Sequence, residues 1–508
     1  MGEGIENEIN SAGKEFYDYQ HKAINEIFIR LKNIPQSHNL LFQLPTGGGK
    51  TIIFSEIAKR FIEETGKKVL ILTHRIELCK QTSAILDEFS VKNKVISSKV
   101  KSLPDQDDFM CFVAMVETLN NRLKDEMIEI PDVGLVIIDE AHYNSFTKLF
   151  TFLDKSSILG VTATPLSSSI KLPMNSNYDE LIVGNSISSL VGKGFLAKAT
   201  TYGFDVDLKT LKIGINGDYT VSSSDKLYSD FHMQEKLLHA YEEQSLGKKT
   251  LIFNSGINSS KGVYNMFKVA GYNIMHLDST LNEQDRVDIL TWFKETPNAI
   301  LTSVGILTTG FDEPTIETII LNRATKSLTL YHQMIGRGSR ILPDKKEFTV
   351  IDLGNNALRF GLWDSDIDWQ DIFISPYKYY QSLLSDLELE RRFKYKMPES
   401  LREKFPNSTV FEFDIKKAYK INLENGLKPI SAIEQSIRFY TELVFKNTED
   451  VFDARILAVE LEDAIEYQVK QYSYCICKSS DSYLKWLKEE FKRKLNRTLT
   501  QEFNKVES

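Results

Sequence analysis

The sequence predicts an α/β fold: two tandem units, each built on a parallel sheet, followed by a mainly helical region. Three observations carry that reading. Short apolar runs alternate with longer amphipathic stretches, the pattern of a parallel sheet covered by helices on both faces. The alternation occurs twice, in blocks of about 150 residues, a usual domain size. From about Gly361 the texture changes to long helical patterns rich in Tyr, Leu, Glu and Lys. The tandem arrangement suggests a structural duplication, although no residue-level repeat is visible.

The elements follow in order. The first ~20 residues are polar and predict a frayed or loosely docked start. From Gln20, the apolar residues Ala23, Ile24, Ile27, Phe28 and Leu31 recur at helical spacing. The runs Leu40-Leu41-Phe42, Val69-Leu70-Ile71-Leu72, Phe112-Val113-Ala114, Leu135-Val136-Ile137-Ile138 and Ile158-Leu159-Gly160-Val161 read as buried strands, giving a first domain over 1–166. Residues 167–230, rich in Ser, Gly and Asn, read as a connecting segment with minor strands such as the one near Tyr202. A second domain over 231–362 takes its strands from Thr250-Leu251-Ile252-Phe253, Ala299-Ile300-Leu301-Thr302, Ile319-Ile320-Leu321 and Phe348-Thr349-Val350-Ile351. Residues 363–508 form the helical third region.

Composition narrows the class. The chain has 508 residues, 42% hydrophobic and 26% charged, in the range of globular proteins. No apolar run approaches the roughly 18 residues that span a bilayer, so no membrane role is expected. The acidic, polar start is not a signal peptide, and Glu6 stands where a myristoylation motif at Gly2 wants Ser or Thr. The net charge is −8, so any site for a polyanion must be local. Cys79, Cys111 and the pair Cys475 and Cys477 do not form a zinc framework, and no His-x-x-x-His spacing occurs. Free cysteines without a secretion signal predict a reducing cytoplasm, that of a host cell if the chain is viral.

Two constellations carry chemistry. Pro45-Thr46-Gly47-Gly48-Gly49-Lys50-Thr51 follows a strand and opens a helix, the context a P-loop requires. The glycines Gly47, Gly48 and Gly49, with Thr46, let backbone N–H groups surround phosphate oxygens. Lys50 reaches the outer phosphates and the Thr51 hydroxyl can ligate Mg²⁺. Leu44 stands where the general motif starts with Gly. Further on, the strand ending at Ile138 delivers Asp139-Glu140-Ala141-His142 to the sheet edge where such folds bind ligands. Asp139 suits a grip on Mg²⁺ and Glu140 the polarisation of an attacking water. Taken alone, Asp-Glu after a strand could equally be a helix cap.

With the P-loop, Asp139-Glu140-Ala141-His142 resembles a superfamily 2 helicase of the DEAH type, in the branch of restriction-enzyme motor subunits, DNA-repair and phage helicases. The similarity runs from about Tyr17 to Arg340. It implies two RecA-like domains, ATP with Mg²⁺ bound between them, and a nucleic-acid partner, DNA before RNA. It implies further roles. Tyr17 and Gln20 match the adenine-reading motif. Arg75 and Thr118 match residues that touch the nucleic-acid backbone. Thr162 and Thr164, with His142, match the motif coupling the two sites. In the second domain, Gly310 and Asp312 match the ribose motif, with Thr302 or Thr308 on the strand. Gln333, Arg337 and Arg340 match the motif that supplies arginines to the phosphates. Arg337 and Arg340, three apart, would share a helix face, and guanidinium fits phosphate oxygens. The resemblance implies an ATP-dependent DNA helicase, with a double-strand translocase or a regulatory ATP-binding clamp as alternatives.

The third region is less explicit. Tyr483, Leu484, Leu487, Phe491 and Leu495 form an apolar stripe flanked by Lys485, Lys488, Lys492, Arg493, Lys494 and Arg497, which fits an amphipathic helix or a nucleic-acid-binding one. Tyr377-Lys378-Tyr379-Tyr380 fits a core edge or a base-stacking cluster. Residues 363–508 are also the expected surface for a protein partner.

Overall fold

The computed structural model describes residues 16–33, 35, 38–100, 102–103, 105–124, 130, 132–143, 146, 156–167, 172–308, 310–476 and 480–507. The expectations on Gly2, Glu6, the leader and Cys477 fall outside them. The chain divides into two compact units. One runs through Phe204 and again from Thr210 to Leu384. The other joins Asp205–Lys209 to the chain from Ser385 onward.

The first unit holds two sheets. Strands β1 (Leu40–Gln43), β2 (Lys68–Thr73), β3 (Asn93–Ile96), β4 (Cys111–Met115), β5 (Val133–Asp139), β6 (Ser157–Thr162) and β7 (Glu180–Val183) form a 7-stranded sheet in the order β3-β4-β2-β5-β6-β1-β7. Strands β8 (Lys198–Gly203), β9 (Thr250–Asn254), β10 (Ile274–Leu277), β11 (Ile300–Val304), β12 (Thr318–Asn322) and β13 (Glu347–Asp352) form a 6-stranded sheet in the order β10-β11-β9-β12-β13-β8. Every pairing is parallel. Numbered within its own sheet, each set runs third, fourth, second, fifth, sixth, first; the first sheet then adds β7. The duplication expected from the tandem pattern is therefore present as topology.

The apolar runs explain the central strands. Leu40, Leu41 and Phe42, like Leu135 to Ile138, have almost no exposed surface because helices cover both faces. Full burial of each such side chain is worth about 1.5–3 kcal/mol. The helix Asp18–Asn33 buries Ala23, Ile24, Ile27 and Phe28, the expected stripe.

The connecting segment is more than a connection. Its minor strands are sheet edges: β8, which contains the expected strand residue Tyr202, closes the second sheet beside β13, and β7, which the polar composition hid, extends the first beside β1. Edge strands need only one apolar face, so their signal is weak; β8 has no fully buried residue. The helical texture after 363 also does not coincide with the compact division. Helices Trp369–Ile374 and Pro376–Ser382 belong to the first unit, with Gln370 Nε2 donating to the Leu181 carbonyl at 2.8 Å. Tyr379 and Tyr380 pack at the edge of its core while Tyr377 is exposed.

The second unit is helical. Its helices include Ile415–Glu424, Ser431–Phe445, Val451–Val459, Glu462–Cys475 and Asp481–Glu507. Leu487, Phe491 and Leu495 lie in its core. Several of the basic residues beside that stripe are paired: Lys488 with Glu462 and Glu466, Lys492 with Glu462, and Arg493 and Lys494 with Glu490. The stripe is thus the buried face of an amphipathic helix.

Candidate active site

β1, β6 and β5 lie side by side, so their C-terminal ends bring the P-loop, Thr162 and Asp139 to one edge. The loop turns from β1 into the helix Lys50–Thr65. Gly49 has φ 84°, a left-handed value that suits glycine, and a Cβ there would lie 2.5 Å from Gln20 Nε2. Leu44, the departure from the general motif, is buried beneath the loop; a Cβ on Gly48 would come within 2.8 Å of its Cγ. Lys50 Nζ donates to the carbonyls of Leu44 (3.3 Å) and Pro45 (3.5 Å). Burial lowers the Lys50 pKa, and the charges of Glu140 and Asp139 act in the opposite sense.

Asp139 ends β5, and its Oδ1 accepts from the Glu140 N–H at 2.9 Å. Glu140 has φ 52°, an uncommon conformation for a non-glycine residue, with a cost on the order of 1–3 kcal/mol. Burial, reinforced by the charge of Glu140, raises the Asp139 pKa to about 7. Burial also opposes ionisation of Glu140, but His142, Lys50 and Arg337 outweigh it and hold that carboxylate below its usual range. Glu140 Oε2 is buried and accepts no hydrogen bond among the described residues. A carboxylate in this setting is available to a water or ligand.

The coupling residues form one chain of contacts. His142 Nδ1 lies 3.0 Å from Thr162 Oγ1, which donates to the Thr164 carbonyl at 3.0 Å. The hydroxyl therefore accepts from His142 Nδ1–H, and His142 Nε2 is left to accept from Gln333 Nε2 at 3.5 Å. Burial lowers the imidazole pKa, against the charge of Glu140. Thr164 Oγ1 donates to Thr329 Oγ1 at 2.8 Å. Gln333 and Thr329 sit on the helix Leu328–Ile335 that follows β12, so this network joins the two sheets.

The same helix ends at Ile335, so Arg337 and Arg340 lie in the turn beyond it and, against expectation, share no helix face; Gly336 and Gly338 break the helix before the second arginine. Arg340 Nη1 donates to the Gly47 carbonyl at 2.9 Å, and its Nε to Asp312 Oδ1 at 2.8 Å. Arg340 thus reaches from the second sheet's wall onto the P-loop. Arg337 donates to the carbonyls of Phe311 (2.7 Å) and Thr308 (2.8 Å), while its buried Nε has no partner among the described residues. Burial lowers its pKa to about 10, against the favourable charge of Glu140.

Gln20 Oε1 accepts from the Tyr17 N–H at 3.0 Å. Two aromatic residues were not singled out from the sequence. Tyr19 OH donates to the Gly48 carbonyl at 2.9 Å, and the Phe195 ring lies 4.4 Å from that of Tyr17 and 5.1 Å from that of Tyr19. Tyr19 shares a helix with Gln20, which was a usable signal; Phe195 follows a helix end and carried none.

The residues expected on nucleic acid are not gathered in the same way. Arg75 Nη1 donates to the Ile306 carbonyl at 2.8 Å, across to the second sheet's wall, and Gln81 Nε2 to the Gly310 carbonyl at 2.9 Å. Thr118 lies at the start of the helix Val116–Lys124, half-buried. Thr302 is a correction. It has no exposed surface and its hydroxyl bonds to Asn254 (2.7 Å) and Ser260 (2.9 Å), so it faces the second sheet's interior and not a bound strand.

The arrangement is a two-walled cleft fitted to a nucleoside triphosphate. A Cβ at any of the three glycines would collide with neighbouring side chains, Leu196, Leu44 or Gln20, a lysine is enclosed among carbonyls, and a buried Glu140 oxygen accepts no hydrogen bond among the described residues, with His142 Nδ1 3.4 Å away. This defines a P-loop ATPase of paired parallel-sheet lobes. The family models agree: residues 13–167 match the res subunit of type III restriction enzymes and residues 231–342 the helicase conserved C-terminal domain. IRC3 of Saccharomyces cerevisiae, assigned by name as an ATP-dependent helicase, is 30% identical over 390 residues, 71% of this chain and 56% of that protein. A 51.5 kDa protein of a Lactococcus phage is 29% identical over 343 residues, 66% of this chain and 70% of that protein. The type ISP restriction-modification enzyme LlaBIII, solved bound to DNA, shares the fold with a TM-score of 0.53 at 15% identity, over 96% of this chain and 42% of that one. The chain belongs to the superfamily 2 helicases, in the branch of restriction-enzyme motors, repair and phage helicases. It spans little more than half the length of the yeast relative. Among the described residues, no helix is long and apolar enough to cross a membrane.

Proposed function

We propose that the chain is an ATP-dependent DNA helicase, in which ATP hydrolysis between the two sheet lobes drives movement along DNA and separation of its strands. The observation that supports this best is the Arg340 side chain, which spans from the Asp312 carboxylate to the Gly47 carbonyl of the P-loop. Neither lobe alone completes such a site. Gln20 and Tyr17, with Tyr19 and Phe195 beside them, offer an amide and aromatic faces to adenine. Asp312 and Gly310 are suited to the ribose. Thr46, the three glycines and Lys50 hold the phosphates. Thr51 and Asp139 would hold Mg²⁺, which when bound supplies positive charge to the phosphate oxygens. Glu140, ionised and with one oxygen unpartnered, orients the attacking water and accepts its proton. Arg337 and Arg340 stabilise the charge that develops on the transferred group, an effect worth about 10³–10⁵ in rate for arginines so placed.

Coupling follows from differential contact. Phosphate favours the closed cleft because it gives the arginines a better acceptor than backbone carbonyls; hydrolysis removes that preference. The network from His142 through Gln333, and from Thr164 to Thr329, transmits the change between lobes. Arg75 and Thr118 are the proposed backbone contacts to nucleic acid.

A second reading, a double-strand translocase that does not separate strands, is favoured by the match to a restriction-enzyme res subunit. A strand-displacement assay on a tailed duplex, with ATP hydrolysis measured in parallel, tests both. Displacement that requires ATP supports the helicase. ATPase stimulated by blunt duplex without displacement moves the assignment to the translocase, and binding with negligible turnover leaves only a clamp.

A further inference from the structure

Lys345 lies in the turn between the arginine segment and β13, next to the Leu342–Lys345 bridge. Its side chain is 7% exposed and folds back over the turn. An ammonium has three protons to donate, and here each has an acceptor. Nζ donates to the carbonyls of Gly338 (2.7 Å), Arg340 (2.8 Å) and Pro314 (2.9 Å). The first two acceptors flank the end of the Arg337–Arg340 segment. The third follows Asp312-Glu313, and Asp312 itself holds Arg340 Nε. One cation therefore ties the arginine segment to the ribose segment. No carboxylate lies within ion-pair distance of it among the described residues, although burying a charge this way is costly.

We infer that Lys345 is a positioning residue: it fixes the backbone that aims Arg340 at the P-loop, without touching nucleotide itself. The inference rests on the proposed role of that arginine. Arginine cannot replace the lysine, because its planar fork does not supply three divergent bonds to carbonyls on two segments. The charged groups facing the ammonium are Glu317 and Glu313, which favour it, and Arg340, which opposes it; the Phe348 ring lies 5.9 Å away. Burial dominates and lowers the Lys345 pKa to about 8. The ammonium, and with it the third donated proton, is lost as pH rises through that value, so Arg340 is released on the alkaline side.

The experiment is steady-state ATPase of the full chain with single-stranded DNA, for wild type, K345M, R340A and the double variant, from about pH 6.5 to about pH 9.5. K345M should lower kcat by about 10²-fold, the scale of a misplacement near 1 Å, with the KM for ATP within about threefold. The double variant should be no slower than R340A, because both changes remove one function. The wild-type profile should fall near pH 8, and that limb should be absent from R340A, a comparison that needs no Lys345 variant to fold. Multiplicative losses, an unchanged kcat in folded K345M, or an alkaline limb that persists in R340A would each overturn the inference. Wild-type turnover by R340A would overturn the ATP-site reading itself, whatever Lys345 does.

Discussion

The two sheets share a strand order and differ where those strands end. In the first, β1 leads into a glycine-rich loop and β5 ends on Asp139 and Glu140. In the second, the strands in the same two places are β8 and β12. β8 leads by Phe204 to Asp205–Lys209, which belong to the helical unit. β12 ends on Asn322, whose Nδ2 donates to Asn254 Oδ1 at 2.8 Å, while Asn254 donates to Thr302. The first strand end carries two adjacent buried carboxylates; the matching end of β12 carries neutral amides, Asn322 and Asn254, although the Asn322 Oδ1 also lacks a partner among the described residues, and the carboxylate of that sheet, Asp352, lies one strand away at the end of β13. Topology thus prepares two equivalent edges, and the side chains decide which can take a ligand. The second lobe contributes through arginines placed beyond a helix, not through its strand ends.

The largest test of this contrast is catalytic. Glu140→Gln should lower kcat by about 10²–10⁴-fold, the range for loss of a general base, and Lys50→Ala should abolish turnover. Asn322→Ala, at the matching strand end, should leave kcat per folded molecule within about threefold. Equal losses from the two ends would erase the distinction. The next test is electrostatic. Asp139 keeps its proton to about pH 7 when folded, against an ordinary 3.8. Its stabilising share is complete below about pH 4 and is lost as pH rises toward 7. Asp139→Asn should therefore raise the nucleotide-free Tm at pH 8, by about 2–4 °C per kcal/mol relieved, and by little at pH 4. A Tm gain independent of pH would point to packing instead. The smallest effect is expected at Thr302. Thr302→Val should cost about 1–2 kcal/mol in denaturant unfolding, from the hydrogen bonds lost in the neutral network, while the Kd for DNA stays the same. Weakened DNA binding at unchanged stability would restore Thr302 to the strand-contacting face.

Much of the nucleotide site was legible before the fold. Lys50, Asp139 and Glu140 sit in contiguous motifs whose spacing is fixed by a strand and a turn, so local chemistry was enough to select them. Arg337 and Arg340 needed the family resemblance, because two arginines in a turn beyond a helix end carry no address of their own. Tyr19, Phe195 and Lys345 were not selected at all. Each acts on a partner distant in sequence: Gly48, Tyr17 or Pro314. Thr302 was misassigned for a related reason, since a threonine at a strand end looks the same whether it faces solvent or a buried asparagine.

The amino-acid order by itself determined two parallel sheets, a phosphate loop and a pair of carboxylates, because strand burial and loop geometry are set by neighbours a few residues apart. Only the tertiary structure decided that Arg340 meets Gly47, that β7 and β8 complete the sheet edges, and that Lys488 and Lys492 of the last helix meet Glu462 and Glu466. Those outcomes depend on which distant segments share a surface. Hydrogen bonds and ion pairs are won there by proximity in space, which periodicity along a chain does not encode.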